Sequence, residues 1–193
     1  MKAASTCIVC ALAIFLLLTG CGEGEKIETY VESAPAPAVT ADSPVPAGHP
    51  PLNGDYVWQS PEGWEIQPPS SMRIGSYLVP HGADKGDLSV IRLSGEAGGK
   101  LNNLNRWRGQ IGLEPVAPGS PEAEGRQVET PAGSFTVWTL VNGDPVNQGM
   151  LVAMLFTGDH SLFVKLTGPP QLVEAVDSQF TAYLESFKKR EVR

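Results

Sequence analysis

The chain is short of cysteine, histidine and positive charge, and each shortage excludes something. Its three cysteines are Cys7, Cys10 and Cys21, so the rest of the 193 residues has no disulfide and no thiolate metal ligand. Stability must therefore come from a packed core. The histidines are His49, His81 and His160, and no two stand at the spacing of a local metal-ligand pair. Lysine and arginine number 14 against 21 acidic residues, a formal net charge of −7. Phosphate-backbone binding needs a basic surface, so nucleic acid is not an expected partner. No serine lies in a Gly-x-Ser-x-Gly setting. No apolar run approaches the ~20 residues that span a bilayer. An uninterrupted run, Ile8 to Leu18, has eleven residues.

That run has a different use. Met1-Lys2 is a short positive start, the apolar core follows, and Leu18-Thr19-Gly20-Cys21 closes it. The order matches a secretory signal. The four-residue ending resembles the lipobox of bacterial lipoproteins. The resemblance implies cleavage before Cys21, diacylglycerol on its sulfur and further acylation of palmitate type. Residues 1–20 are then the signal peptide. Two or three acyl chains give stable membrane attachment where one is marginal. Gly22 in place of Asp after the cysteine resembles the sorting pattern for the outer membrane, facing the periplasm. Removal of Lys2 with the signal leaves 13 basic residues against 21 acidic ones.

Residues 21–57 cannot build a core. Prolines 35, 37, 44, 46, 50 and 51 remove backbone donors, and one lysine stands against six acids, Glu23, Glu25, Glu28, Glu32, Asp42 and Asp55. This is an acidic Pro/Ala-rich tether. As a flexible coil it would span roughly 35 Å, and as polyproline-like chain on the order of 110 Å.

Residues 58–193 have the length of one ordinary domain. Turn chemistry and apolar patterning predict strands over Tyr56–Gln59, Met72–Val79, Leu88–Leu93, Arg126–Glu129, Phe135–Val141, Met150–Phe156 and Leu162–Leu166. Helices are expected over Gly99–Ile111, with Gly112 as its stop, and over Pro170–Lys188. In the second helix Val173, Val176, Phe180, Leu184 and Phe187 form one stripe. Lys188, Lys189 and Arg190 would then match the negative end of the helix dipole. "MLVAMLF" and "FTVWTLV" are apolar on both faces, which requires a sheet covered on both sides. The expected class is α+β: an antiparallel sheet of about six to seven strands flanked by helices on both faces.

The segments "PEGW", "MRIGSYLV", "LSGEAGG", "NRWRGQ", "TPAG", "FVKLTGP" and "ESFKK" resemble a family of bacterial lipoproteins with a PsbP-like, DcrB-type domain. The resemblance implies the same sandwich of sheet between helices, and mostly non-catalytic roles in assembly and binding.

Chemistry is sparse in the residues themselves. Asp84 and Asp87 in "GADKGD" are fewer oxygens than a calcium cage needs. The glycine-rich "SGEAGGK" precedes a helix but lacks phosphate-loop and dinucleotide spacings. No catalytic or metal-binding residue is expected, and no cofactor. The most distinctive stretch is "LNNLNRWRGQIGL", Leu101 to Leu113. At 100° per residue Leu101, Leu104, Trp107, Arg108 and Ile111 share one side, and Asn102, Asn103, Arg106 and Gln110 the other. Trp107 and Arg108 are expected on the structural side, with a ligand anchor as the alternative. A buried Arg108 must find a carboxylate or carbonyls. Asn102, Arg106 and Gln110 form the candidate partner-binding strip. The expectation is a membrane-anchored, non-enzymatic envelope lipoprotein that binds or stabilises an envelope protein or other envelope component. A small-molecule-binding transport accessory is the alternative, and an envelope hydrolase the third reading.

Overall fold

A computed structural model of the chain describes residues 55–68, 70 and 72–191. Cys21, the lipobox residues Leu18, Thr19 and Gly20, and the tether up to residue 54 lie outside the described residues. The elements run β1 (Tyr56–Val57), β2 (Glu65–Ile66), β3 (Arg73–His81), β4 (Asp84–Ser94), α1 (Lys100–Gln110) and α2 (Pro121–Glu124). They continue as β5 (Arg126–Thr130), β6 (Gly133–Asn142), β7 (Gln148–Phe156), β8 (His160–Gly168), α3 (Pro170–Ala175), α4 (Asp177–Glu185) and β9 (Lys188–Lys189). The class is α+β, as the patterning requires. Seven strands form one antiparallel sheet in the order β2-β3-β4-β8-β7-β6-β5.

The sheet has a core on each face, which explains the doubly apolar strands. In β7, Leu151, Ala153 and Leu155 join one core while Met150, Val152 and Met154 join the other. The first core holds α3, α4 and a group of rings: Trp58, Trp64, Tyr77, Phe135, Tyr183 and Phe187. The second is built under α1 by Leu104, Trp107 and Ile111 against Trp138, Leu140, Met150, Val152, Met154 and Phe163. Burying each large apolar side chain contributes about 1.5–3 kcal/mol, so α1 is held by its apolar stripe. Its N-terminus has no side-chain cap, since Gly99 offers none.

The C-terminal segment departs from the expected single helix. It divides at Val176, where ψ opens to 6°. The two halves pack on different strands. Leu172 and Val173 of α3 sit against Gly86, Gly149 and Gly168, positions where an added Cβ would meet them at 3.0–3.2 Å. Asp177, the first residue of α4, is instead held by Arg126 of β5 at 3.0 Å. The helix also ends earlier than expected, at Glu185. Phe187 turns into the core and stacks on Trp58 with centroids 4.7 Å apart. Lys188 and Lys189 are therefore not charges on a helix end. They pair with Val57 and Tyr56 in a separate two-stranded sheet.

This pairing relocates the first expected strand. Tyr56–Val57 does not extend the main sheet, and Tyr56 is fully buried. Both residues also fall within 21–57, the span that composition assigns to the tether. Asp84 and Asp87 of "GADKGD" lie in β4 and pair with His81 and Leu78.

Candidate functional site

The asparagines before Arg106 are fasteners. Asn103 is buried, and its Nδ2 donates to the carbonyls of Ala97 and Gly99 at 3.0 and 2.7 Å. Ala97 has a left-handed φ of 46°, so this grip holds a strained turn at the entry to α1. Asn105 takes both backbone groups of Val116: its Oδ1 accepts from the amide at 2.8 Å and its Nδ2 donates to the carbonyl at 3.0 Å. Asn102, exposed, donates to Gly98 O at 2.9 Å. Helical angles alone place Asn103 with the outer strip. The structure buries it because the glycine turn before α1 folds over that flank.

The neighbouring residues divide as follows. Trp107 is buried and meets Phe163 edge to face at 5.8 Å. Arg108 is half-buried, and its Nε donates to Glu114 O at 2.7 Å, fastening the segment that leaves the helix. Arg106 is exposed, with one Nη2 donating to Asn103 Oδ1 at 2.6 Å. Gln110 is exposed and accepts from Lys165 Nζ at 3.3 Å.

That last contact leads to a group of residues on the sheet. Ser76, Ser89 and Lys165 are direct cross-strand neighbours on β3, β4 and β8. Adjacent strands are ~4.8 Å apart, so the three form a continuous row on one face. Leu88 and Val90 flank Ser89 and enter the opposite core, which fixes this row on the face that carries α1. Asp87 lies two residues before Ser89 and shares the face. It accepts a two-pronged salt bridge from Arg73, Nη1 to Oδ1 and Nη2 to Oδ2, both at 2.8 Å. The same Arg73 Nη1 donates to Ser76 Oγ at 3.0 Å. Apolar cover by α1 thus gives way, at its Gln110 end, to a polar half-face.

Its electrostatics are unbalanced. Lys165 is half-buried and has no carboxylate at ion-pair distance among the described residues. Burial pushes its pKa below the ordinary lysine value, and Arg73 and Arg106 push it further down, while Asp87 opposes them. Around Lys165, two arginine charges thus oppose one carboxylate. Ser89 is 2% exposed, yet no side-chain hydrogen bond to it occurs among the described residues. Sequence reasoning passed over Arg73, Ser76, Ser89 and Lys165. One signal was present: Lys165 is a lone charge in "LFVKL", a strand otherwise apolar on both faces.

At the other end of β8, His160 has both ring nitrogens engaged. Nε2 lies 2.7 Å from Tyr56 Oη, and Nδ1 lies 3.2 Å from Thr157 Oγ1. His81 is exposed at the end of β3. Among the described residues no three His, Cys, Asp or Glu side chains are grouped to hold a metal. No described helix is long and apolar enough to cross a membrane.

No family model matches the chain, and no curated protein matches it by sequence. Solved structures with a similar arrangement include a protein of Bacteroides thetaiotaomicron, at 10% identity and a TM-score of 0.43 over 71% of this chain and 46% of that one. They also include LpqN, involved in cell envelope biogenesis of Mycobacterium tuberculosis, at 14% identity and a TM-score of 0.47 over 70% and 83% of the two chains. The chain thus spans less than half the length of the Bacteroides protein.

Proposed function

We propose that the chain is a lipid-anchored, non-catalytic binding domain of the cell envelope, of PsbP-like, DcrB-type architecture, held to the outer membrane through Cys21. The polar half-face beside α1 is its contact with an envelope component. The observation that carries the reading is Lys165: a half-buried cation that, among the described residues, has only Gln110 as side-chain hydrogen-bond partner and stands next to the unused hydroxyl of Ser89. Taking a charge out of water without a counter-charge is costly, and binding is a use that repays the cost. The non-catalytic part is supported by His160, whose two nitrogens serve Tyr56 and Thr157.

Photo-crosslinking in intact cells tests the reading. A crosslinker at Arg106 should give a discrete adduct that Lys165→Glu abolishes, while one at Glu122 on α2 should give none. Equal adducts from both positions would refute the binding face. Cys21→Ala should release the chain from the membrane fraction, and unchanged attachment would refute the anchor.

A further inference from the structure

The half-face carries information about the chemistry of what it holds, and the inference rests on that face being the binding surface. The arginine fork of Arg73 is already filled by Asp87, two N–H groups on two oxygens. A planar carboxylate ligand has thus lost the partner that would match it best. The donors left over point from separate places. Lys165 Nζ uses one of its three hydrogens on Gln110, at a long 3.3 Å. Among the described residues Ser89 Oγ has no hydrogen-bond partner, and the Ser76 hydroxyl, which accepts from Arg73, keeps its own hydrogen to give. Arg106, exposed on α1, makes one hydrogen bond from its guanidinium among the described residues. A point-like ammonium, two hydroxyls on adjacent strands and an exposed guanidinium suit an anion whose oxygens diverge in three dimensions. The local charge is positive in a protein that is acidic as a whole.

We infer that Lys165, Ser89, Ser76 and Arg106 bind a phosphate group, free or as a diester, beside the Gln110 end of α1. Lys165 supplies the charge, as lysine does at phosphate sites generally. The two nearly buried serines orient the oxygens from beneath, and Arg106 adds a second positive charge from α1. Asp87 stays paired with Arg73, which keeps its negative charge from opposing the ligand. Two sources present this chemistry in an envelope, free phosphate and the headgroup of an anionic phospholipid.

The test uses the full lipidated chain in non-ionic detergent at constant ionic strength. Its melting temperature is followed against inorganic phosphate in one arm and glycerophosphoglycerol, a headgroup diester, in the other, with chloride as the reference. Wild-type protein should be stabilised in at least one arm, and the stronger arm identifies the source. Lys165→Met should weaken the effect about tenfold or more, as expected for loss of a charged hydrogen bond. Ser89→Ala removes a hydroxyl with no side-chain hydrogen bond among the described residues, so it should melt like wild type without ligand and still bind several-fold more weakly. Stabilisation in neither arm, or equal stabilisation of wild type and Lys165→Met, would overturn the phosphate assignment. Discrete crosslinks from Arg106 alongside two failed arms would leave the binding face standing and remove only the phosphate.

Discussion

Tyr56 and His160 meet edge to face with ring centroids 5.5 Å apart, and Tyr56 Oη lies 2.7 Å from His160 Nε2. The pair fastens β1, the first described strand, to the end of the main sheet. Around it Arg92 forms an ion pair with Asp55 at 3.1 Å, and Arg190 donates its amide to Asp55 O at 2.7 Å. The point where a membrane tether would enter the domain is therefore joined to the sheet by side-chain chemistry as well as by two short strands.

This pair makes stability depend on pH. Burial lowers the pKa of His160, and Arg92 lowers it further. The unfolded chain then takes up its proton first as pH falls, so protonation favours unfolding. The contribution of His160 is complete above the ordinary histidine pKa of about 6.5 and is lost as pH drops through the lower folded value. The denaturation midpoint of wild type should fall between about pH 7 and 5, and His160→Gln should flatten that slope. A flat wild-type profile across this window would contradict a buried neutral imidazole.

Asn103 and Asn102 are adjacent in sequence and should behave differently. Asn103→Ala leaves the Ala97 and Gly99 carbonyls without their side-chain donor and removes the acceptor for Arg106. It should destabilise by about 1–3 kcal/mol in urea titration. Asn102 is exposed, so Asn102→Ala should stay within about 0.5 kcal/mol of wild type. Equal losses would show that the turn before α1 is not held as described.

Gly125 joins α2 to β5 with φ 70° and ψ 172°, a conformation essentially confined to glycine. A Cβ there would lie 2.6 Å from Trp138 Cε2 and 2.8 Å from Thr136 Cγ2. Strain and overpacking together should cost about 2–5 kcal/mol in Gly125→Ala. Calorimetry should show the drop without loss of two-state unfolding, and a melting point like wild type would refute the close approach.

Part of the site was legible in the residues and part was not. Helical periodicity separates Trp107 from Arg106 and Gln110, because a regular helix converts spacing into direction. It could not place Asn103, whose burial depends on a glycine turn folding back across the helix. Nor could it bring Arg73, Ser89 and Lys165 together. They come from three strands, and the neighbours β4 and β8 are 65 or more positions apart in the chain, as in Ser94 beside His160 and Asp87 beside Thr167. Register between such distant strands leaves no local trace.

By itself the sequence determined the α+β class, the doubly covered sheet and the two-sided apolar strands, since hydrophobic period is a local property of the chain. It also carried the lipobox-like ending at Cys21, which is a contiguous motif. The tertiary structure alone decided that the final helix breaks at Val176, that Lys188 and Lys189 become a strand, and that a lone lysine in β8 lies beside Ser89, with Ser76 one strand further on. Those outcomes follow from what each segment packs against, and packing partners lie far away in the chain.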